Sequence, residues 1–183
     1  QDVKPAVEGE KSVALLWVAR CHPVKRPQLF LDLAERLPQT RCRMICSLQD
    51  EGLFREVRRR AEGLPNVEFL DAVPYRDIQS HFDAAEIFVN TSDREGVPNT
   101  FIHSGLGRTA ILSLAVDPDG MFTKFAAGFC AGGDFEALAA RITHWREYPD
   151  DLRHAQKEAA RFVREWHDNA INVEAFLEAV SGP

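Results

Sequence analysis

The sequence predicts an α/β fold: a doubly wound parallel sheet of about six strands, with helices on both faces and a helical C-terminal tail. Three observations predict it. Short apolar runs alternate about six times with stretches whose apolar residues fall at helical spacing, the pattern of a parallel sheet with right-handed crossovers. The first run, Val13-Ala-Leu-Leu-Trp-Val-Ala19, is apolar throughout, as suits a central strand covered on both faces. From Asp134 onward the spacing is purely helical.

The elements follow in order. After the first strand, Arg20-Cys-His-Pro-Val-Lys25 reads as a loop, and Pro27 suits the first position of a helix. Leu29, Phe30, Leu33 and Leu37 form that helix's apolar stripe, and Pro38 stops it. Residues 43–47 read as a second strand. Leu53, Phe54, Val57 and Ala61 define a second helix, with the arginines at 58–60 on or near its wet side. Val67 to Leu70 is a short third strand. Ile78, Phe82 and Ala85 line a third helix leading into a fourth strand at 87–90. Asn99 to Leu106 is helical, with Gly107 as its C-cap. Residues 110–115 read as a fifth strand, Asp117-Pro-Asp-Gly120 as turn chemistry, and 129–131 as a weak sixth strand. Asp134 caps a stripe of Phe135, Leu138, Ile142 and Trp145. Pro149 restarts a helix through Trp166, and Val173, Phe176, Leu177 and Val180 suit a last one.

Bulk properties bound the function. A chain of 183 residues fits one domain, 1–183, and 45% apolar with 27% charged residues is a globular balance. A net charge of −6 argues against non-specific binding to nucleic acid or anionic membranes, so any phosphate affinity must be local. No apolar run approaches the length that spans a bilayer, and no secretory signal is visible. Cys21, Cys42, Cys46 and Cys130 form no CxxC pair and read as reduced thiols, so the expected compartment is cytoplasmic. Gln1 in place of an initiator methionine suggests a piece of something longer.

The stretch with the most chemistry is Glu86 to Gly107. A buried strand gives way to Asn90, Thr91, Ser92 and Asp93, then to Glu95-Gly96 and a helix that opens after Pro98. A helix N-terminus behind a Gly-containing turn leaves amide groups free for an anion. A carboxylate at its lip is suited to hydroxyl groups beside a bound phosphate, so Glu95 points to a sugar joined to phosphate. With strand order 3-2-1-4-5-6, strands one and four are neighbours, and ligands bind outside their carboxyl ends. The Arg20 and Lys25 loop then meets the Glu95 and Gly96 loop. Arg20 and Lys25 are suited to clamping a diphosphate, Arg as a planar fork and Lys as a point charge. Taken alone each is an ordinary surface cation; their place after the most buried strand raises the functional reading to even terms.

Other candidates carry less. His22 and His81 have no partner in the sequence. Asp117-Pro-Asp119 has the spacing of an acidic metal pair, but its proline and Gly120 favour a turn, and no metal site is expected. There is no GxGxxG after the first strand, no GxxxxGK[ST] and no GxSxG, which argues against a dinucleotide oxidoreductase, a P-loop NTPase or a Ser hydrolase.

Three segments resemble a known family. Trp17-Val-Ala-Arg-Cys-His-Pro-Val-Lys25 resembles the "VGRL…K" loop of retaining GT-B glycosyltransferases of family four, the group 1 transferases. Asn66-Val-Glu-Phe-Leu-Asp-Ala-Val73 resembles their "V.FLG.V" strand, and Ser92-Asp-Arg-Glu-Gly-Val-Pro-Asn-Thr100 their "S..EGFPN". The likeness implies the C-terminal, donor-nucleotide half of a GT-B enzyme, one Rossmann-like domain, with the acceptor half elsewhere. It implies that Arg20 and Lys25 hold the diphosphate of a UDP-, GDP- or ADP-sugar, and that Glu95 touches the sugar. The backbone N–H groups of Gly96, Val97, Pro98, Asn99 and Thr100 would meet the phosphate, and Val73 and Tyr75 would lie near the base. Glu95, Arg20 and Lys25 would support retaining transfer to a glycan, lipid or other acceptor, with no metal or other cofactor. The partners implied are the nucleotide-sugar donor and the missing half, through which peripheral membrane association could arise; polysaccharide biosynthesis is the expected setting. Two positions depart from the pattern. His103 stands where the family has a second glutamate, assigned to the ribose diol, and Asp71 where it has a glycine. The alternatives are a GT-B-like sugar-nucleotide epimerase and a degenerate domain kept for nucleotide binding or interaction.

Overall fold

The computed structural model of the chain describes residues 11–167. Its six strands form one parallel sheet in the order β3-β2-β1-β4-β5-β6. They are β1 (Val13–Arg20), β2 (Cys42–Ser47), β3 (Val67–Leu70), β4 (Ala85–Asn90), β5 (Ala110–Ser113) and β6 (Phe129–Cys130). The helices are α1 (Pro27–Arg36), α2 (Glu51–Glu62), α3 (Ile78–Asp83), α4 (Asn99–Leu106), α5 (Met121–Phe125), α6 (Phe135–Glu147) and α7 (Pro149–Trp166). This is the doubly wound topology the alternation predicts, with β1 beside β4 (Leu15 opposite Ile87, Leu16 opposite Phe88).

Residues with period two divide the core. Leu15 and Trp17 of β1, Met44 of β2 and Ile87 and Val89 of β4 pack on one face, against Phe30 and Leu33 of α1, Val57 of α2 and Ile142 and Trp145 of α6. Leu16, Ile45, Phe88 and Ile111 face the other way, against Phe82 of α3, Phe101 of α4 and Phe122 of α5. Burying each such side chain contributes roughly 1.5–3 kcal/mol. Helix α7 crosses between the faces: Leu152 and Ala155 join the first core, Ala159, Phe162 and Val163 the second. It runs close under α4. A Cβ on Gly105 would stand 2.3 Å from Val163 Cγ2 and 2.7 Å from the Ala159 carbonyl oxygen. No helix among the described residues is long and apolar enough to cross a membrane.

Caps fall where short polar side chains lead. Asp50 accepts from Leu53 N, and Asp134 accepts from Glu136 N and Ala137 N. The arginine run of α2 lies on its wet side, Arg58 paired with Glu62 and Asp71, Arg60 with Asp32 and Glu35.

Several expectations need correction. Gly107 is the C-cap of α4 as expected; only its conformation differs from the usual left-handed cap, with φ −81 at Gly107 and the left-handed residue at Arg108 (φ 51). Glycine is needed there because a Cβ would lie 2.9 Å from the Phe82 carbonyl carbon. β5 stops at Ser113, whose Oγ accepts from Val116 N and turns the chain. Helix α5 was not legible at all, and α3 ends at Asp83, so Ala85 opens β4. The two histidines do have partners: His22 Nδ1 accepts from Val24 N at 3.2 Å, and His81 Nδ1 lies 3.2 Å from Arg43 Nη1. The last helix read at Val173 to Val180 falls outside the described residues.

Candidate functional site

β1 and β4 run in parallel and end side by side, so the loops that leave them meet. Between them lies a cleft of about 280 Å³. Arg20, Lys25, Glu95, Pro98, Asn99 and Thr100 all line it, together with Trp17, Asn90, Thr91 and Ser92. The loops are tied to each other: Asp93 N donates to the Val24 carbonyl at 3.0 Å, and Arg26 pairs with Asp93 at 2.9 Å.

Each charged group has its own setting. Arg20 ends β1, is exposed at the cleft, and its guanidinium has no hydrogen bond or ion pair with any described residue. Lys25 closes a 3₁₀ turn (Pro23–Lys25), and its Nζ meets Glu95 Oε2 at 2.7 Å. Glu95 Oε1 accepts from Asn90 Nδ2 at 3.0 Å and from Ser92 Oγ. Burial pushes the Glu95 carboxyl upward, but the hydrogen bonds from Lys25, Ser92 and Asn90 outweigh it and hold the group below its ordinary value. Glu95 is therefore an anion at neutral pH. Lys25 keeps donors to spare, since an ammonium has three and this ion pair uses one.

Helix α4 completes the wall. Its N-cap is Pro98, with no side-chain cap and no acidic residue in the first turn. The amides that open the helix, at the cleft-lining residues Asn99 and Thr100, therefore have no side-chain cap. Pro98 has no N–H, so of residues 96–100 only Gly96, Val97, Asn99 and Thr100 can donate from the backbone.

The remaining predicted residues lie outside the lining. Gly96 and Val97 are exposed on the turn before α4. Val73 and Tyr75 sit on the loop after β3, Tyr75 being 77% exposed. The Tyr75 ring meets His103 edge-on at 5.8 Å, and His103 stacks on Phe82 at 5.4 Å. Gln79 fixes the state of His103. Its Nε2 donates to Asp83 Oδ1 at 2.8 Å and to the His103 carbonyl at 3.1 Å, leaving Oε1 to accept from His103 Nδ1 at 2.7 Å. Burial also pushes the imidazole below its ordinary value, with Asp83 countering only in part. His103 is thus neutral at pH 7, with Nε2 as an acceptor.

The sequence reading missed Trp17, Asn90, Thr91 and Ser92 as cleft residues. The signal was present in the abrupt change from Ile87-Phe-Val89 to three polar residues, which are buried rather than merely the start of a loop. Asp117 and Asp119 belong to the turn before α5: Asp117 Oδ1 accepts from Phe122 N, and Asp119 turns with φ 54. Among the described residues no group of three or more His, Cys, Asp or Glu is arranged to hold a metal ion.

A parallel sheet in this order, with a charged cleft at its switch point, defines a Rossmann-like α/β domain of the kind found in GT-B proteins. The sequence profile of the family described as "Glycosyl transferases group 1" matches residues 12–147, well over half of the chain, and the chain belongs to that family. No curated relative matches the sequence. Among solved structures, S. aureus TarM, crystallised with fondaparinux, alpha-GlcNAc-glycerol and UDP, superposes with a TM-score of 0.79 at 14% identity, over 97% of this chain and 37% of TarM. Anabaena HepE, in complex with UDP and glucose, gives 0.78 at 17% identity, over 94% of this chain and 49% of HepE. The C-terminal domain of LpcC, a group 1 family protein from Francisella tularensis, gives 0.73 at 14% identity, over 87% of this chain and 88% of that domain. The chain therefore spans less than half the length of TarM and HepE.

Proposed function

We propose that this chain is the donor half of a two-domain group 1 glycosyltransferase and binds a nucleoside diphosphate sugar in the cleft between β1 and β4. One observation carries the reading: the β1 and β4 loops bring Arg20 and Lys25 opposite the uncapped N-terminus of α4. Arg20, the spare donors of Lys25 beside Glu95 and a helix dipole converge on the cleft and attract a diphosphate locally, in a chain whose net charge is −6. During transfer the same groups stabilise the charge that builds on the departing nucleoside diphosphate. Glu95, ionised and oriented by Asn90 and Ser92, has acceptor capacity left for a sugar hydroxyl. Arg20, Lys25 and Glu95 act in transfer with retention and without a metal ion. Val73, Tyr75 and His103 flank the site where a base and ribose extend. The acceptor is held by a second half, a reading supported by the chain's match to only 37% of TarM and 49% of HepE.

The test is a thermal-shift panel of UDP, GDP and ADP, with UDP first because the TarM and HepE structures hold it. At least one nucleotide raises the melting temperature, and Arg20→Ala or Lys25→Ala makes the shift smaller. No shift with any of the three at millimolar concentration overturns the reading.

A further inference from the structure

The cleft loops are joined by a buried relay that neither the ion pair nor the helix terminus explains. Trp17 Nε1 donates to Thr91 Oγ1 at 2.9 Å, and Thr91 Oγ1 donates to the backbone carbonyl of Lys25 at 2.6 Å. Both side chains are buried, Thr91 completely. The direction is fixed by chemistry. An indole N–H only donates, so the hydroxyl oxygen accepts it, and the single hydroxyl hydrogen is left for the carbonyl.

That carbonyl sits at a demanding place. Lys25 is the last residue of the 3₁₀ turn, and Arg26 after it has φ 47, a left-handed conformation that an arginine rarely adopts. A turn of this shape persists only where its surroundings hold it. The exposed Arg26–Asp93 pair is weak support, because solvent screens it. The buried relay is the stronger restraint, and it grips the residue whose ammonium reaches Glu95 at 2.7 Å.

We infer that Thr91 is a positioning residue for Lys25: through its hydroxyl it fixes the 3₁₀ turn so that the ammonium points into the cleft, where a nucleoside diphosphate is bound. The inference rests on the donor-binding reading. Arg20 belongs to β1 itself, so its contribution is independent of Thr91.

A double-mutant cycle on the full chain, read as UDP affinity by calorimetry, tests it. Thr91→Val weakens UDP about tenfold, the scale of a lost buried hydrogen bond that strands a carbonyl, and Thr91→Ser recovers affinity to within about twofold. Thr91→Val with Lys25→Ala is no weaker than Lys25→Ala alone, whereas Thr91→Val with Arg20→Ala multiplies the two losses. General loosening of the fold would move both pairs alike. Wild-type affinity in Thr91→Val, or multiplied losses with Lys25→Ala, overturns the inference while leaving donor binding intact. Absence of UDP binding by the wild type overturns the donor reading for UDP and this inference with it. Should Thr91→Val not fold, Trp17→Phe takes its place: it removes the indole donor, and its smaller loss must likewise vanish in the Lys25→Ala background.

Discussion

Helix α4 ends in two opposite environments. Beside its C-terminus a cluster of carbonyls is answered: Lys11 Nζ donates to Gly107 O at 2.9 Å, Ala85 O at 2.7 Å and Asp83 O at 3.2 Å, and Thr109 Oγ1 donates to Phe82 O at 2.6 Å. The ammonium has no donor left over. At its N-terminus no side chain caps the helix, and Arg20 across the cleft has no described partner. Both ends thus face a cation, but one is saturated and the other retains capacity. Saturation marks the end that holds the fold together; spare donors mark the end that receives something from outside.

The comparison can be broken or sharpened by substitution. The largest effect is expected at Gly105, the platform both ends share. Gly105→Val drives side-chain atoms into Val163 and the Ala159 carbonyl and costs about 3 kcal/mol or more, seen as a lower urea midpoint. A midpoint equal to wild type would mean that α4 and α7 are not in close contact. Next, Lys11→Met removes three hydrogen bonds to carbonyls and costs about 1–3 kcal/mol, while UDP affinity of the folded protein stays unchanged. Loss of UDP affinity instead would erase the distinction between the two ends. Arg20→Ala should behave in reverse: stability within about 0.5 kcal/mol of wild type, but UDP affinity down about tenfold. The smallest effect concerns pH. Glu95 has a folded pKa below its ordinary 4.5, so its ionisation contributes stability in full above that value. The contribution is lost as pH falls through the depressed folded value. The stability difference between wild type and Glu95→Gln should therefore be flat above pH 4.5 and shrink below it. A difference that grows on acidification would reverse the assigned direction.

Much of this arrangement was legible in the residues because it follows from periodicity. Alternating strands and helices fixed the sheet as parallel, and the fully apolar Val13–Ala19 run placed β1 at its centre, which puts the Arg20 loop beside the Glu95 loop. The close contacts were not legible. Nothing in a separation of seventy residues says that Lys25 and Glu95 pair, or that a strand tryptophan reaches Thr91. Helix α5 spans five residues, too few to show a helical period, and the Asp117-Pro-Asp-Gly120 turn masked its start. The state of His103 depends on the orientation of the Gln79 amide, which is decided by tertiary packing rather than by local pattern.

Trp17 has one more consequence. Trp17 belongs to the wall of the cleft and its buried indole gives its only hydrogen to Thr91, so the ring senses the strength of the bond that leads to the Lys25 turn. Indole emission shifts with polarity and with hydrogen bonding at its nitrogen. In a chain where Trp145 and Trp166 are replaced by phenylalanine, the protein carries its own fluorescent gauge of whether the cleft is full or empty.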